Sequence, residues 1–209
     1  MDTDNWFDVC FTLQEGFGKV KLNRKWNFID NKGNFLSSTW FDYCYDFFEG
    51  FGAVEVNGKF IHIDNKGNFL SDVWFDYCYE FHEGFAAVKL DGKYNHIGNK
   101  GNFLSDVWFD KCYNFCEGFA VVKLDGKYNH ICCDGKLLSD VWFDDCDAFE
   151  EGFAVVVLNN KRNFIGKDGK YLSDVWFDYC DWFKDEFSRV RLGKKLFYID
   201  KEGSLHEYR

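Results

Sequence analysis

Glu117-Gly118-Phe119-Ala120-Val121-Val122-Lys123-Leu124-Asp125-Gly126-Lys127-Tyr128-Asn129-His130-Ile131 is the stretch from which the fold of this chain can be read. Ala120, Val122 and Leu124 alternate with Phe119, Val121 and Lys123, the period of two that belongs to a half-buried strand. Asp125-Gly126 follows directly, and such a pair is a strong hairpin signal because a type I′ turn needs two residues at positive φ. Lys127 to Ile131 is then the returning strand. On this reading Ala120, Val122, Leu124 and Ile131 face inward, and Val121 and Lys123 are expected on the opposite, contact-making face.

The same pattern recurs along the whole chain. Trp-Phe-Asp begins at Trp6, Trp40, Trp74, Trp108, Trp142 and Trp176, each 34 residues after the last. A period of this size marks a solenoid, a propeller or another array. We read one repeat domain over 1–209, with units 6–39, 40–73, 74–107, 108–141, 142–175 and 176–209. In each unit Ile29, Ile63, Ile97, Ile131, Ile165 or Ile199 holds one register position of the second strand. A glycine follows at 33, 67, 101, 135, 169 or 203, expected in the left-handed region, and a short third strand such as Asn102-Phe103-Leu104-Ser105 is expected after it. The segment from Ser-Asp-Val-Trp to Glu-Gly has no clean period. It reads as a bent strand or as one helical turn capped by Ser71, Ser105, Ser139 or Ser173.

A unit of 34 residues is too small to bury a core alone, so stacking of neighbours is required. The expected fold is all-β: six tandem β-hairpin repeats in an open solenoid-like array, with a six-bladed β-propeller as the alternative. The open array is preferred because the last unit diverges into a cap, with Asp185-Glu186 for Glu-Gly, the polar Arg189 and Arg191, and the tail His206-Glu207-Tyr208-Arg209. Propeller blades also run to about 40–45 residues.

Composition narrows the function. The chain has 209 residues, 22% of them aromatic, no proline, and a formal net charge of -10. That charge opposes direct binding to nucleic acid or anionic lipid and favours a partner with a basic surface. Nine cysteines accompany a start, Met1-Asp2-Thr3-Asp4-Asn5, without the basic and apolar regions of a secretion signal. No apolar run approaches the roughly 20 residues of a membrane span. A cytoplasmic protein with reduced thiols and no membrane association is expected.

Phe48-Glu49-Gly50-Phe51-Gly52-Ala53-Val54 and Lys25-Trp26-Asn27-Phe28-Ile29-Asp30 resemble the WG-repeat (KWG) family of bacterial proteins, and the likeness extends over essentially the whole chain. The family's Trp-Gly pair is replaced by Trp26-Asn27, Phe60-Ile61, Tyr94-Asn95, Tyr128-Asn129, Arg162-Asn163 and Leu196-Phe197. The resemblance implies a non-enzymatic β-repeat module and carries over no catalytic residues.

Chemistry was sought among the repeating polar residues. Cys10, Cys44, Cys78, Cys112, Cys146 and Cys180 recur singly, whereas zinc sites want cysteines in close pairs, so they read as small core residues. His130 and Cys132 are the weak metal candidate, beside Cys112 and Cys116. Phe28 and Phe164 share the column of His62, His96 and His130, which marks a packing position. Asp42, Asp76, Asp110, Asp144 and Asp178, with Asp72, Asp106, Asp140 and Asp174, are copied once per unit. Acid/base pairs need unlike environments, so turn and cap roles are expected. No Gly-x-Ser-x-Gly or phosphate-cradling loop is present, and neither an enzyme nor a cofactor is expected.

Positions that differ among otherwise like units are where specificity belongs. These are Lys111, Asn114, Cys116, Val121, Lys123, Asp145, Asp147, Val155, Val157, Arg162 and Trp182. The expected function is binding of a protein partner through an acidic, aromatic-rich face. One alternative is an acidic inhibitor, of bacterial or phage type, occupying the basic nucleic-acid groove of a nuclease or defence enzyme. Another is a carbohydrate or cell-wall binding module.

Overall fold

A computed structural model describes residues 7–207. Trp6, the first of the repeat tryptophans, and Tyr208-Arg209 of the tail lie outside the described residues. The chain is an all-β tandem-repeat array of six sheets. It divides into two compact units, Met1–Asp106 and Val107–Arg209, with three sheets in each.

Every sheet among the described residues is antiparallel with its strands in chain order, three strands in the first five and four in the sixth. The first strands are Val9–Cys10, Tyr43–Cys44, Tyr77–His82, Lys111–Cys116, Asp145–Cys146 and Tyr179–Cys180. The central strands are Phe17–Leu22, Phe51–Val56, Phe85–Leu90, Phe119–Leu124, Phe153–Leu158 and Phe187–Leu192, and the third are Lys25–Asp30, Lys59–Asp64, Lys93–Gly98, Lys127–Cys132, Lys161–Gly166 and Lys195–Asp200. The hairpin read from sequence is present in register, with Leu124 opposite Lys127 and Ala120 opposite Ile131. Asp125 and Gly126 have φ of 50° and 80°, as a type I′ turn demands.

The turn before the central strand is of the same kind. Glu15, Glu49, Glu83, Glu117 and Glu151 all stand at φ of 50–53°, each followed by a glycine at positive φ.

The strand expected at 102–105 is reduced to one bridge, Ile97 with Phe103, followed by the Leu104 N–H donating to the His96 carbonyl at 2.8 Å. Only the last repeat extends it into a strand, Leu205–Glu207. In repeats before it the chain must leave for the next sheet, and serine sets the bend. Ser37, Ser71, Ser139 and Ser173 each accept, through Oγ, the N–H two residues on. That is a side-chain turn and not a helix cap; there is no helix among the described residues. A buried asparagine fixes the same bend, since Asn27, Asn95, Asn129 and Asn163 donate from Nδ2 to the carbonyls of Ser37, Ser105, Ser139 and Ser173 at 2.7 Å. The Trp-Phe pair then closes the preceding sheet: Trp26 and Phe41 exchange both backbone hydrogen bonds, as do Phe60 and Phe75.

The core lies between repeats, as stacking requires. One cluster joins Trp26 and Phe28 of the first repeat to Phe41, Cys44, Phe47, Val54 and Ile63 of the second. In the other compact unit Val121 packs on Phe143, Cys146, Phe149, Ala154, Val156 and Ile165, and Val155 with Phe164 packs on Phe177, Cys180, Phe183, Val190 and Ile199. The central strands of the fourth and fifth repeats therefore offer one face to their own repeat's core and the other to the following repeat. Close approach is completed by the left-handed glycines. A Cβ on Gly101 (φ 85°) would stand 1.9 Å from the Leu70 carbonyl oxygen of the preceding repeat.

Candidate functional site

Many of the repeating polar groups are spent on joining one repeat to the next. Lys25 pairs with Asp42, Lys59 with Asp76 at 2.6 Å, Lys127 with Asp144 and Lys161 with Asp178. The second oxygen of Asp42 and of Asp144 accepts a hairpin N–H, from Asn57 and Asn159, at 2.7 Å. The lysine and that N–H hold these carboxyls below the usual carboxylate range. The glutamates at the Glu-Gly turns form a second ladder. Glu15 accepts the N–H groups of Glu49 and Gly50, Glu49 those of Glu83 and Gly84, and Glu117 that of Gly152. Glutamate is a poor residue for the left-handed region, so these inter-repeat bonds are what keep it there.

Five of the six repeat cysteines are packing groups, and Cys10, on the edge strand of the first sheet, is exposed instead of in the core. Cys44, Cys78, Cys112, Cys146 and Cys180 are buried, and burial pushes their thiols up, Cys180 to about 12. A thiol held protonated is a poor nucleophile and a poor metal ligand.

His62 and His130 are also buried, with Nε2 at 2.8 Å from the carbonyls of Tyr79 and Asp147 in the following repeat. Nδ1 of each is buried with no hydrogen-bond partner among the described residues, which places the proton on Nε2 and leaves the ring neutral. Burial lowers both, His62 to about 4. His130 thus spends its ring proton on a backbone carbonyl. Cys132 is half-buried on the same strand, and no group of three metal-ligating side chains comes together among the described residues.

Two of the residues expected on the contact face are not there. Val121 is 5% exposed and Val155 3%, both inside inter-repeat clusters, because the central strand is covered on both faces. The remaining positions reach the surface in two rows and a rim. Lys111, Lys123 and Tyr128 lie opposite one another across three strands, with the Lys111 amine 4.6 Å from the Tyr113 ring centroid and the Lys123 amine 4.8 Å from that of Tyr128. Asp145, Val157 and Arg162 form the equivalent row one repeat on, with the Arg162 guanidinium 5.6 Å from the Tyr179 ring. Asn114 is exposed where the register shifts between Cys112 and Phe115.

The rim carries the most distinctive arrangement. Trp182 is 60% exposed, more than any other large hydrophobic among the described residues. Its indole N–H donates to Asp147 at 3.1 Å, which holds the ring in place. Beside it runs a groove of about 350 Å³ lined by Cys116, Glu117, Asp147, Ala148, Phe149, Glu150 and Trp182. Asp181, at the foot of Trp182, pairs with Arg189 at 3.0 Å. Sequence reasoning placed Asp147, Cys116 and Trp182 among the variable positions, and the structure brings those three together.

An aromatic strip in the first compact unit was missed. Phe11, Trp26, Tyr43, Tyr45, Phe60, Tyr77, Tyr79 and Tyr94 form a continuous chain of ring contacts across three repeats, with centroids 4.8–6.5 Å apart. The signal was the repeated Tyr-Cys-Tyr at 43–45 and 77–79, because strand alternation puts both tyrosines on one face when the cysteine turns to the core.

A family model described as WG containing repeat matches residues 28–60, 63–94, 97–128 and 134–161. No curated protein matches the chain. Among solved structures, the chain resembles a eukaryotic initiation factor at 12% identity and a TM-score of 0.50, over 100% of this chain and 65% of that one. It also resembles Hsv2 of Kluyveromyces lactis at 11% identity and a TM-score of 0.43, over 91% of this chain and 71% of that one. At these identities the likeness concerns the fold alone.

Proposed function

The chain belongs to the WG containing repeat family, and from that premise we propose that it is a non-enzymatic, cytoplasmic binding protein that takes a basic protein partner on the acidic rim around Trp182. The observation that carries this reading is the exposure of Trp182 together with its fixation. A large ring held at the surface by Asp147, next to a groove bearing Glu117 and Glu150, has the composition of an interface anchor. Fixing the ring beforehand removes part of the ordering cost of binding. The net charge of -10 favours a basic partner and speeds its approach.

The test is affinity capture from the native host with the wild type, Trp182→Ala and Glu150→Lys. The expected result is one partner retained by the wild type and lost from both variants, whose thermal melts stay unchanged. Equal capture by all three removes the rim from the reading. The density of carboxylates also supports a narrower version, in which the partner is a nucleic-acid enzyme and the rim fills its basic groove. Release of the captured protein by added DNA or RNA supports that version, and salt-insensitive capture argues against it.

A further inference from the structure

The aromatic strip of the first compact unit holds its own cations, with one exception. In the central strand of the first, third and fourth repeats the same position is a lysine. Its amine lies over the aromatic ring opposite it on the third strand: Lys21 over Trp26 at 5.2 Å, Lys89 over Tyr94 at 5.4 Å, Lys123 over Tyr128 at 4.8 Å. In the second repeat this position is Glu55, directly opposite Phe60 on one side and Tyr43 on the other. The ring that should receive a lysine faces a carboxylate instead.

Tyr45 contacts Tyr43, Phe60 and Tyr77, and Phe60 contacts Tyr77 with centroids 5.0 Å apart. Lys19 approaches Tyr43 at 5.8 Å, but its amine is bound to Asp46 at 2.8 Å. Tyr45, Phe60 and Tyr77 have no cation over them among the described residues, and the Glu55 side chain makes no ion pair or hydrogen bond there. Burial and the nearby Glu55 carboxylate raise the Tyr45 hydroxyl, so that group stays neutral. Aromatic faces attract a cation through their quadrupole, and a carboxylate beside them adds direct charge attraction.

We propose that Glu55, with the half-buried rings of Tyr43, Tyr45 and Tyr77, the last two packed on the buried Phe60, binds the guanidinium or ammonium group of a basic peptide segment, supplying from outside the cation that three other repeats supply from within. This site lies in the other compact unit from the Trp182 rim and does not rest on that reading. A guanidinium suits it best, because its plane stacks on a ring while its N–H fork meets a carboxylate.

The experiment is a titration of the full chain with Nα-acetyl-arginine amide, followed by aromatic proton–carbon NMR. Nα-acetyl-citrulline amide, the neutral isostere, is the control. Saturable shifts of the Tyr43, Tyr45, Tyr77 and Phe60 ring signals with arginine only are expected. Glu55→Lys reproduces the lysine of the neighbouring repeats, so it preserves the fold and should abolish the shifts. Glu55→Gln should weaken binding by roughly 2- to 5-fold, the factor that corresponds to one exposed cation–π or ion-pair contact. The proposal is overturned by equal shifts with citrulline, by Glu55→Lys retaining the response, or by no shift at all.

Discussion

The histidine column gives the sharpest test of how these repeats are held together. His62 is 2% exposed, donates to the Tyr79 carbonyl at 2.8 Å and meets the edge of Phe81 with centroids 4.9 Å apart. Its folded pKa of about 4 lies below the ordinary 6.5, with burial the main cause. The unfolded chain therefore binds the proton more tightly. Stability from the neutral ring is complete above pH 6.5 and is lost as pH falls toward 4. Linkage sets the total at about 3 kcal/mol, of which roughly 2 kcal/mol is gone at pH 5. His62→Phe removes the titration but leaves the Tyr79 carbonyl without its donor, at a cost of about 1–3 kcal/mol.

The chain contains its own remedy. Phe164 stands in the histidine column of the fifth repeat, and there Ser188 donates from Oγ to the corresponding carbonyl, that of Asp181, at 2.8 Å. Ser188 occupies the place of Ala86. His62→Phe combined with Ala86→Ser is thus expected to match the wild type at pH 7.5 within about 1 kcal/mol. Between pH 7.5 and 5.0 the wild type should lose roughly 2 kcal/mol more than the double variant. Urea unfolding followed by tryptophan fluorescence and circular dichroism at both pH values measures this. Every titratable group other than His62 is the same in both proteins, so their contributions cancel. Equal losses in the two proteins would refute the reasoning.

Two further outcomes follow from the packing between repeats. Gly101→Ala should cost more than about 2 kcal/mol in urea unfolding, since its Cβ has no room beside the Leu70 carbonyl, while Gly92→Ala, at φ 80° with open space around it, should cost about 1 kcal/mol; equal costs would show that the close approach is unimportant. Val155→Asp should lower the unfolding free energy by about 3 kcal/mol or more, because it buries a charge inside an inter-repeat cluster, whereas Trp182→Ala should stay within about 0.5 kcal/mol of the wild type.

Much of the fold was legible because repetition averages out local accident. Ile131 alone is one apolar residue; with Ile29, Ile63, Ile97, Ile165 and Ile199 it fixes a register. The face of Val121 and Val155 was misread for a physical reason. Period two says that a strand has two faces but not that one of them meets water. The column itself held the answer: Ala53, Ala87, Val121 and Val155 are apolar, and charge enters only at Lys19 and Arg189 in the first and last repeats. The Glu-Gly turn was illegible for another reason. Local propensity argues against glutamate at positive φ, and only the N–H groups of the next repeat, 34 residues away in sequence, reverse that preference.

Comparison among the repeats also separates binding from packing more sharply than composition does. Variation at the buried position of His62 is balanced in the fifth repeat by a second change nearby, since Ser188 supplies the donor that Phe164 lacks. Glu55 replaces a lysine without any compensating cation, and Trp182 stands where Ala148 and Asn114 stand one and two repeats earlier. At Glu55 the difference leaves a charge among rings, and at Trp182 it leaves an indole 60% exposed with its N–H on Asp147. The cationic partner proposed for each would answer both.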